Sequence, residues 1–305
     1  MKVIVQPQNG YINRIQALAS SALLAREIGA DFEVQWSTSS AAPAVVDELF
    51  APEFLQRFFV APQVWNLEHY LNLIDAGTAV TLAGLDLGEQ VFMQELKQLI
   101  SANPQISEIR ISAGGKFALD GLTEQFADKR GEFYREELQF SSEIESRARA
   151  LFDVHGPYVG VHLRYSDRSH QAPRKNSILS ATLGAASRLG IQNVFLASDD
   201  LRERDYWEAT LKSKGLRPWT VSYEQALPER SAVPALVDWR VLANSAGVVY
   251  FSESSFGEEA AVAAGNLSDS ASLQGSHWSE LTSTVAQYSH ALVTYPKRHF
   301  SRPAE

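Results

Sequence analysis

The stretch GVHLRYSDR, residues 160–168, begins as an apolar strand and ends in residues that can do chemistry. Alternation along a strand puts His162 and Arg164 on one face. An arginine offers a planar pair of donors that binds phosphate in bidentate fashion and stays charged. His162 is either a catalytic base or a buried histidine with an internal partner, and the adjacent Arg164 favours its neutral form. The stretch therefore suggests an anion site at a strand end.

The loop that follows this strand is basic in an otherwise acidic chain. Residues 164–175 carry four Arg and Lys side chains and one carboxylate, whereas the whole chain has a formal net charge of −9. This contrast favours a ligand that bears phosphate. Arg164 and Arg168 are the candidate ligand-binding groups. The alternative is that Arg168, Arg174 and Lys175 form salt bridges with an acidic surface.

A second strand, residues 194–198, runs directly into Asp199 and Asp200. Aspartate is a frequent first residue of a helix, because its carboxylate accepts hydrogen bonds from the free N–H groups there. In the other interpretation one of these carboxylates accepts hydrogen bonds from a nucleotide base or ribose. The sequence alone leaves both interpretations open.

A third strand, residues 248–251, runs into SESSFGEE, residues 252–259. Ser255 and Glu258 have the spacing of a capping box, which would explain them as the start of a helix. A helix start directly after a parallel strand also presents free N–H groups and the positive end of a dipole, which suit phosphate. Ser254, Ser255 and Phe256 are then donor-binding candidates. Glu258 and Glu259 would repel a phosphate unless they point away.

Regular alternation of strands and helices positions these three strand ends. In the second half we predict strands over 158–164, 194–198, 219–222 and 248–251, with helices over 177–189, 201–214, 234–245 and 256–264. Such alternation is typical of a parallel sheet with helices on both faces. Ligands bind beyond the carboxyl ends of the strands in such sheets. One more helix is expected within 275–305, where it could cross back.

The first half begins with a βαβ pattern. We predict a strand over 2–5, a turn over 6–10, a helix over 13–28 and a strand over 31–36. Further helices are predicted over 66–74, 87–101 and 143–152, the last from the capping box Ser142 to Glu145. Gly156–Pro157 marks a hinge. We therefore expect two Rossmann-like domains, residues 1–155 and 156–305.

Composition excludes several classes of function. The net charge of −9 argues against a general nucleic-acid or anionic-membrane binder. The chain has no cysteine, so it has no disulfide and no thiolate ligand. No stretch has the length of a signal-peptide core or a membrane span, and we expect a cytoplasmic protein without integral membrane contact. Walker, G-x-G-x-x-G, H-E-x-x-H, Gly-x-Ser-x-Gly and Asp-x-Asp motifs are all missing, so a metal-held diphosphate is not indicated.

Taken in order, four stretches resemble the fucosyltransferase superfamily of GT-B glycosyltransferases, which includes bacterial α-1,2 and α-1,6 fucosyltransferases and the protein O-fucosyltransferases. Residues 9–36, NGYINRIQALASSALLAREIGADFEVQW, look like its G-x-G-N-R segment, and residues 138–167 resemble the segment leading into its H-x-R-R-x-D motif. VFLASDD is similar to its strand ending in Ser/Thr-Asp. ALVDWRVLANSAGVVYFSESSFGEEAA looks like its Ser-Ser-Phe-Ser region.

The resemblance implies a GT-B fold with two domains facing each other across a cleft, no required metal, and inverting transfer from GDP-β-L-fucose. Arg164 would bind the diphosphate, while Ser254, Ser255 and Phe256 would contact phosphate. Asp199 or Asp200 would hold guanine or ribose. On the acceptor side Asn13, with the adjacent Arg14, would face the cleft. The acceptor itself, whether glycan, peptide or small molecule, is not indicated.

The sequence departs from the family pattern at three positions. Ile12 replaces a glycine, and a β-branched residue disfavours the positive φ that a glycine turn can use. Tyr165 replaces the second arginine of H-x-R-R, a charge that Arg168 would supply instead. Gly257 replaces the last serine. These departures keep two alternatives open, a transferase using another nucleotide sugar and a non-catalytic nucleotide-sugar-binding protein. No general base is singled out, and His162 and Glu253 are the candidates.

Overall fold

The computed structural model of the protein describes residues 1–59, 77–85, 89–122, 125–165, 172–221 and 232–274. Its first sheet has four strands in the order β2-β1-β5-β3, and every pairing is parallel. A separate parallel pair is formed by β4 and β6. The strands are β1 Lys2–Pro7, β2 Asp31–Val34, β3 Ala79–Leu85, β4 Gln90–Val91, β5 Glu108–Ala113 and β6 Ala118–Leu119.

The second sheet has five parallel strands in the order β11-β10-β7-β8-β9, so the predicted parallel sheet is confirmed. Every residue of β7 and β10 is buried, as expected of strands covered on both faces. The strands are β7 Val159–Leu163, β8 Asn193–Ser198, β9 Arg217–Trp219, β10 Gly247–Phe251 and β11 Ala271–Leu273.

Six helices belong to the first half of the described chain: α1 Tyr11–Ile28, α2 Val46–Leu49, α3 Pro52–Phe58, α4 Met93–Ala102, α5 Phe126–Glu136 and α6 Ser142–His155. Helix α1 ends as predicted, because Gly29 adopts the left-handed conformation with φ 67°. The predicted helix over 87–101 is instead the short strand β4 followed by α4. The predicted helix over 66–74 lies outside the described residues.

The capping box predicted for α6 is not formed. The residue before the helix is Ser141, and its hydroxyl donates to the carbonyl of Glu48 rather than accepting from the helix. Ser142, the predicted capping residue, is instead the first residue of the helix. The helix itself, Ser142–His155, covers the predicted span and ends immediately before Gly156.

Four helices belong to the second half: α7 Lys175–Leu189, α8 Leu201–Ser213, α9 Val233–Leu242 and α10 Ser255–Ala264. All four correspond to predicted helices, with bounds that differ by at most three residues. A single 3-10 turn, Leu267–Asp269, precedes β11. The helix predicted within 275–305 lies outside the described residues.

One hydrophobic core runs through both halves. It includes Val3 and Leu18 from the first half and Trp239 and Val262 from the second. Helix α10 packs on α5, and α9 packs on α6. The indole of Trp239 makes an edge contact with Tyr134 at 5.9 Å between ring centroids. The domain boundary at residues 155 and 156 stays a prediction, but the two sheets are joined by a shared helical layer.

Among the described residues, no helix combines the length and apolar character needed to cross a membrane.

Candidate active site

The carboxyl ends of β7, β8 and β10 lie side by side. These strands are neighbours in the sheet, with Leu163 opposite Ser198 and Val249 opposite Val161. Because the strands are parallel, the residues that follow them emerge at one edge. The prediction that the three polar strand ends share an edge is therefore confirmed. Arg164, Asp199 and the segment 252–255 are the groups brought together there.

His162 is buried within this edge, with 7% of its surface exposed. Its Nδ1 lies 3.3 Å from the hydroxyl oxygen of Ser254, and its ring stacks on Phe256 with 4.8 Å between centroids. These contacts tie the end of β7 to the start of α10. Which atom donates in the contact with Ser254 is set by the histidine tautomer. His162 thus contacts the protein interior and two of the predicted donor-binding residues.

The imidazole of His162 is neutral at pH 7. Burial lowers its pKa to about 4, with Asp199 opposing this shift and Arg164 adding to it. Arg164 lowers the pKa of His162, as the sequence predicts, but the loss of hydration on burial lowers it more. A neutral imidazole can exchange hydrogen bonds with Ser254 without placing a second positive charge beside Arg164.

Arg164 is the first residue after β7 and is half-buried. The next residue, Tyr165, donates its backbone N–H to Oδ1 of Asp199 over 2.8 Å. This bond links the segments that follow β7 and β8, and it holds Arg164 at the edge between them. Arg168, the other predicted donor-binding arginine, lies outside the described residues.

Asp199 and Asp200 have different surroundings. Oδ1 of Asp200 accepts from the N–H groups of Arg202 at 2.8 Å and Glu203 at 3.1 Å, so this carboxylate caps helix α8. The helix-start interpretation is thus confirmed for Asp200. Asp199 is exposed and accepts from Tyr165, which places it on the open side of the edge. Of the two carboxylates, Asp199 has the better position to meet a ligand.

The start of α10 has no side-chain cap. Ser254 is the N-cap residue of α10, but its hydroxyl contacts His162 and does not accept from the N–H groups of the helix. The predicted capping box of Ser255 and Glu258 is wrong, because the Ser255 hydroxyl donates to Oδ1 of Asn13 over 2.8 Å. Both serines are therefore engaged in tertiary contacts. The first-turn N–H groups are left without a serine oxygen.

Asn13 and Arg14 are adjacent in the sequence but have different environments. Asn13, half-buried on α1, reaches from the first half of the chain to Ser255 of the second. Arg14 is fully buried and lies over the ring of Trp36 at 4.7 Å. Its guanidinium donates to the carbonyls of Asn9 and Ser37 and to the hydroxyl of Ser39. The structure brings Asn13 to the candidate site and places Arg14 in the packing behind it.

The turn between β1 and α1 does not need a glycine at residue 12. Ile12 already lies in α1 and is buried, and Gly10 has an extended conformation. The left-handed residue is Asn9, with φ 66°, and its side chain donates to the carbonyl of Gly114 over 2.8 Å. The expected conflict between Ile12 and a positive φ is therefore wrong, since the strained position falls three residues earlier.

The other two departures from the family pattern also have a packing explanation. Tyr165 stands edge-on to Phe251 with 5.8 Å between ring centroids. A Cβ on Gly257 would lie 2.4 Å from Cβ of Tyr250 and 3.2 Å from Nδ1 of His162. Glycine at 257 thus allows α10 to approach β10 and β7 closely. Tyr250 occupies the space that a larger residue at 257 would need.

A buried polar cluster behind the edge was missed in the sequence. It is centred on Glu259, which is fully buried and is hydrogen-bonded to side chains of the first half. Arg130 donates to both carboxylate oxygens at 3.1 and 3.0 Å, Tyr134 donates at 2.7 Å and Gln16 at 2.9 Å. Lys116 lies 3.6 Å away and also pairs with Glu258. The only sequence signal is a pair of carboxylates in an apolar helix.

The cluster is ionised. Burial by itself would raise the pKa of Glu259, but Arg130, Lys116 and Gln16 more than offset this and leave that pKa below its ordinary value. Burial opposes the charge of Arg130, yet Glu259 and neighbouring acidic groups raise the pKa of Arg130. The ion pair that joins the two halves is therefore fully charged at neutral pH.

A separate groove of about 770 Å³ lies between the end of α1, helix α4 and residues 120–122. It includes Glu27, which follows Asn13 by fourteen residues on the same helix, a distance of about 21 Å. The groove therefore does not belong to the candidate site. Within the described part of the chain, no group of three or more His, Cys, Asp or Glu side chains has the arrangement of a metal site.

No protein-family model matches the chain, and no curated protein matches it. Solved structures do match. A mutant of Arabidopsis thaliana FUT1 in complex with GDP is similar with a TM-score of 0.58 and 13% identity, over 87% of this chain and 69% of that one. POFUT1 in complex with GDP-fucose is similar with a TM-score of 0.55 and 12% identity, over 89% and 97%.

A third similar structure is the fucosyltransferase NodZ from Bradyrhizobium, with a TM-score of 0.52 and 17% identity over 85% of this chain and 90% of that one. The three matches each cover most of the chain and include both sheets. The fold expected from the resemblance is therefore confirmed: this chain has the α/β fold of the GT-B fucosyltransferase structures.

Proposed function

We propose that this protein is an inverting, metal-independent glycosyltransferase that transfers L-fucose from GDP-β-L-fucose to a hydroxyl acceptor. Three structures of the same fold are named as FUT1, POFUT1 and the fucosyltransferase NodZ, and two of them hold GDP or GDP-fucose. Since one fold serves many functions, the residues at the candidate site have to carry the proposal.

The observation that carries it is that Arg164 and the uncapped start of α10 follow two neighbouring parallel strands, β7 and β10, at one sheet edge. Free N–H groups at a helix start and a guanidinium are the two groups that proteins use most readily for a diphosphate. During transfer the bond between the anomeric carbon and the diphosphate oxygen breaks, and GDP leaves with that electron pair. Positive groups fixed where this charge grows lower the barrier.

Each remaining residue has a role in this scheme. Ser254, Ser255 and Phe256 form the turn on which the diphosphate rests, and Asp199 accepts hydrogen bonds from guanine or ribose. His162 is a positioning residue, because it is buried and acts through Ser254 and Phe256. Arg168 adds charge in place of the arginine that Tyr165 replaces. Asp200 supports this side only through helix α8.

The acceptor side is formed by Asn13, with Arg14 fixing the turn from which α1 begins. In the transfer step the acceptor oxygen bonds to the anomeric carbon and its proton passes to a base. Glu253 is half-buried two residues after β10 and is a better-placed base than His162, of which only 7% is exposed. Attack from the face opposite the leaving diphosphate inverts the anomeric centre.

Calorimetric titration of the purified full chain tests the donor. We expect GDP and GDP-fucose to bind in the presence of EDTA, and UDP and dTDP to bind at least tenfold more weakly, about 1.4 kcal/mol. Preferential binding of UDP or dTDP would favour a transferase with another donor. Binding of GDP-fucose without release of GDP, in hydrolysis or with a panel of hydroxyl acceptors, would favour a non-catalytic binding protein. The absence of binding to any nucleotide would overturn the proposal.

A further inference from the structure

The first turn of α10 carries a carboxylate that ought to oppose an anion. Glu258 is the acidic residue of that turn. Negative side chains near a helix start stabilise the helix, but they also compensate the positive dipole end that an anionic ligand would use. An anion seat at this helix therefore needs a neighbour that cancels the charge of Glu258.

Lys116 is that neighbour, and it comes from the other half of the chain. It lies between β5 and β6, its ammonium hydrogen-bonds Oε1 of Glu258, and Oε1 of Glu259 is 3.6 Å away. The Lys116 side chain is only 16% exposed and that of Glu258 29%. Charges shielded from water in this way interact more strongly than exposed surface pairs.

The second carboxylate, Glu259, lies 3.6 Å from Lys116 but has a cation of its own in Arg130. Glu259 accepts two hydrogen bonds from Arg130 and one each from Tyr134 and Gln16. Its charge is compensated by this buried set. Glu258 has Lys116 as the cation hydrogen-bonded to it in the described structure. Arg130 is thus the main cation of Glu259, and Lys116 is the cation that is hydrogen-bonded to Glu258.

We infer that Lys116 is a positioning residue for the anion seat, which neutralises Glu258 across the junction of the two halves so that the start of α10 can accept a diphosphate. The inference rests on the proposed function in one respect, that the anion is the diphosphate of a nucleotide. It adds that donor affinity depends on the first half of the chain as well as on the sheet that carries Arg164.

The test measures the affinity of the full chain for GDP, for inorganic pyrophosphate and for guanosine by calorimetry. Lys116→Met should weaken the binding of GDP and of pyrophosphate about tenfold, because the charge of Glu258 is then uncompensated. Guanosine has no phosphate, so Lys116→Met should bind it with the same affinity as the unaltered protein does. Adding Glu258→Gln to Lys116→Met should restore the affinity for both anions. Lys129→Met, which breaks the pair with Glu132 on the surface of α5, is the matched control and should change nothing.

Several results would overturn the inference. One is that Lys116→Met binds pyrophosphate with unchanged affinity. Another is that Lys116→Met loses affinity but adding Glu258→Gln does not restore it, as expected if Lys116 contributed only to packing. Should Lys116→Met fail to fold, Glu258→Gln alone decides, because it should bind pyrophosphate at least as tightly as the unaltered protein. Weaker binding would contradict the charge argument.

The same measurements separate this inference from the proposed function. If the unaltered protein binds pyrophosphate but not GDP, the GDP assignment fails while the effect of Lys116 is still measured on pyrophosphate. If it binds neither, there is no anion seat at α10 and both are overturned.

Discussion

Arg164 stands where β7 ends, between the segments that follow β8 and β10, and its two neighbours at positions 162 and 165 contact those segments. Tyr165 is held by Asp199, and His162 is held by Ser254 and Phe256. The backbone from which the Arg164 side chain extends is therefore held in place on both sides. Preorganised charge of this kind is the largest contribution that many enzymes make to catalysis.

Replacing Arg164 should therefore affect turnover. We expect Arg164→Ala to lower kcat for transfer by about 10²-fold or more, the scale of losing one preorganised donor. Arg164→Lys should recover part of this, because it keeps the charge but loses the bidentate fork. Steady-state measurement of GDP release checks both variants. Arg217→Ala, an exposed arginine at the start of β9, is the control. Near-full activity in Arg164→Ala would remove this residue from the mechanism.

The lowered pKa of His162 predicts that the free energy of unfolding depends on pH. Its pKa in the folded protein is about 4, below the ordinary 6.5, so the unfolded chain binds a proton first as the pH falls. The stability that this difference provides is complete above pH 6.5 and is lost as the pH falls towards 4, by on the order of 3 kcal/mol. Urea unfolding at pH 7.5, 6 and 5 checks it. His162→Gln should show a flatter profile than the unaltered protein over this range, and parallel profiles would contradict the assignment.

At the scale of elements, the neighbouring residues Asp199 and Asp200 are expected to have different roles, one in ligand binding and the other in capping helix α8. Asp200→Ala removes the cap of α8 and should lower the free energy of unfolding by about 1 kcal/mol. Asp199→Ala leaves that cap intact and should instead weaken the binding of GDP. Denaturant unfolding and calorimetric titration of both variants check the contrast. The idea fails if Asp199→Ala binds GDP normally, or if Asp200→Ala is as stable as the unaltered protein.

Helix α10 is the element that most determines the site. Ser254 and Ser255, at its start, contact His162 of β7 and Asn13 of α1. Gly257, the third residue of the helix, lies against Tyr250 of β10. Further along, Glu259 contacts α5 and α1. One helix therefore connects the sheet that carries Arg164 with the half that carries Asn13. Small movements of α10 would change both contacts at the same time.

At the scale of the whole molecule, the two halves share a core and a buried ion pair. Glu259→Gln leaves Arg130 buried without a charged partner and should destabilise the protein by about 3 to 5 kcal/mol. The double variant Arg130→Met/Glu259→Gln removes both charges and should regain much of that loss. Guanidinium unfolding of the three proteins checks the order of stability. A double variant less stable than Glu259→Gln would show that the pair is not the source of the effect.

Much of the fold follows from local pattern. The βαβ start and the alternation after residue 156 predicted most strands and helices correctly, because these segments have clear hydrophobic periods and glycine stops such as Gly29. Helix α5 and strand β5 were not predicted. Their burial comes from packing against distant parts of the chain, α10 in the case of α5. Two capping boxes were predicted and neither forms: Ser142 lies inside helix α6, and the hydroxyl of Ser255 donates to the distant Asn13 instead.

The sequence by itself determined that three parallel strands end in polar groups, that an arginine stands at one of these ends, and that the ordered motifs resemble one fold. Only the tertiary structure decided which groups act together. It assigned Asp200 to α8, placed Arg14 in the interior, joined Asn13 to Ser255 and brought Lys116, Arg130 and Glu259 into one cluster. Periodicity depends on neighbours a few residues apart, whereas the pairings of Asn13, Lys116 and Arg130 join residues more than a hundred positions apart, and their partners are set by how the two sheets pack.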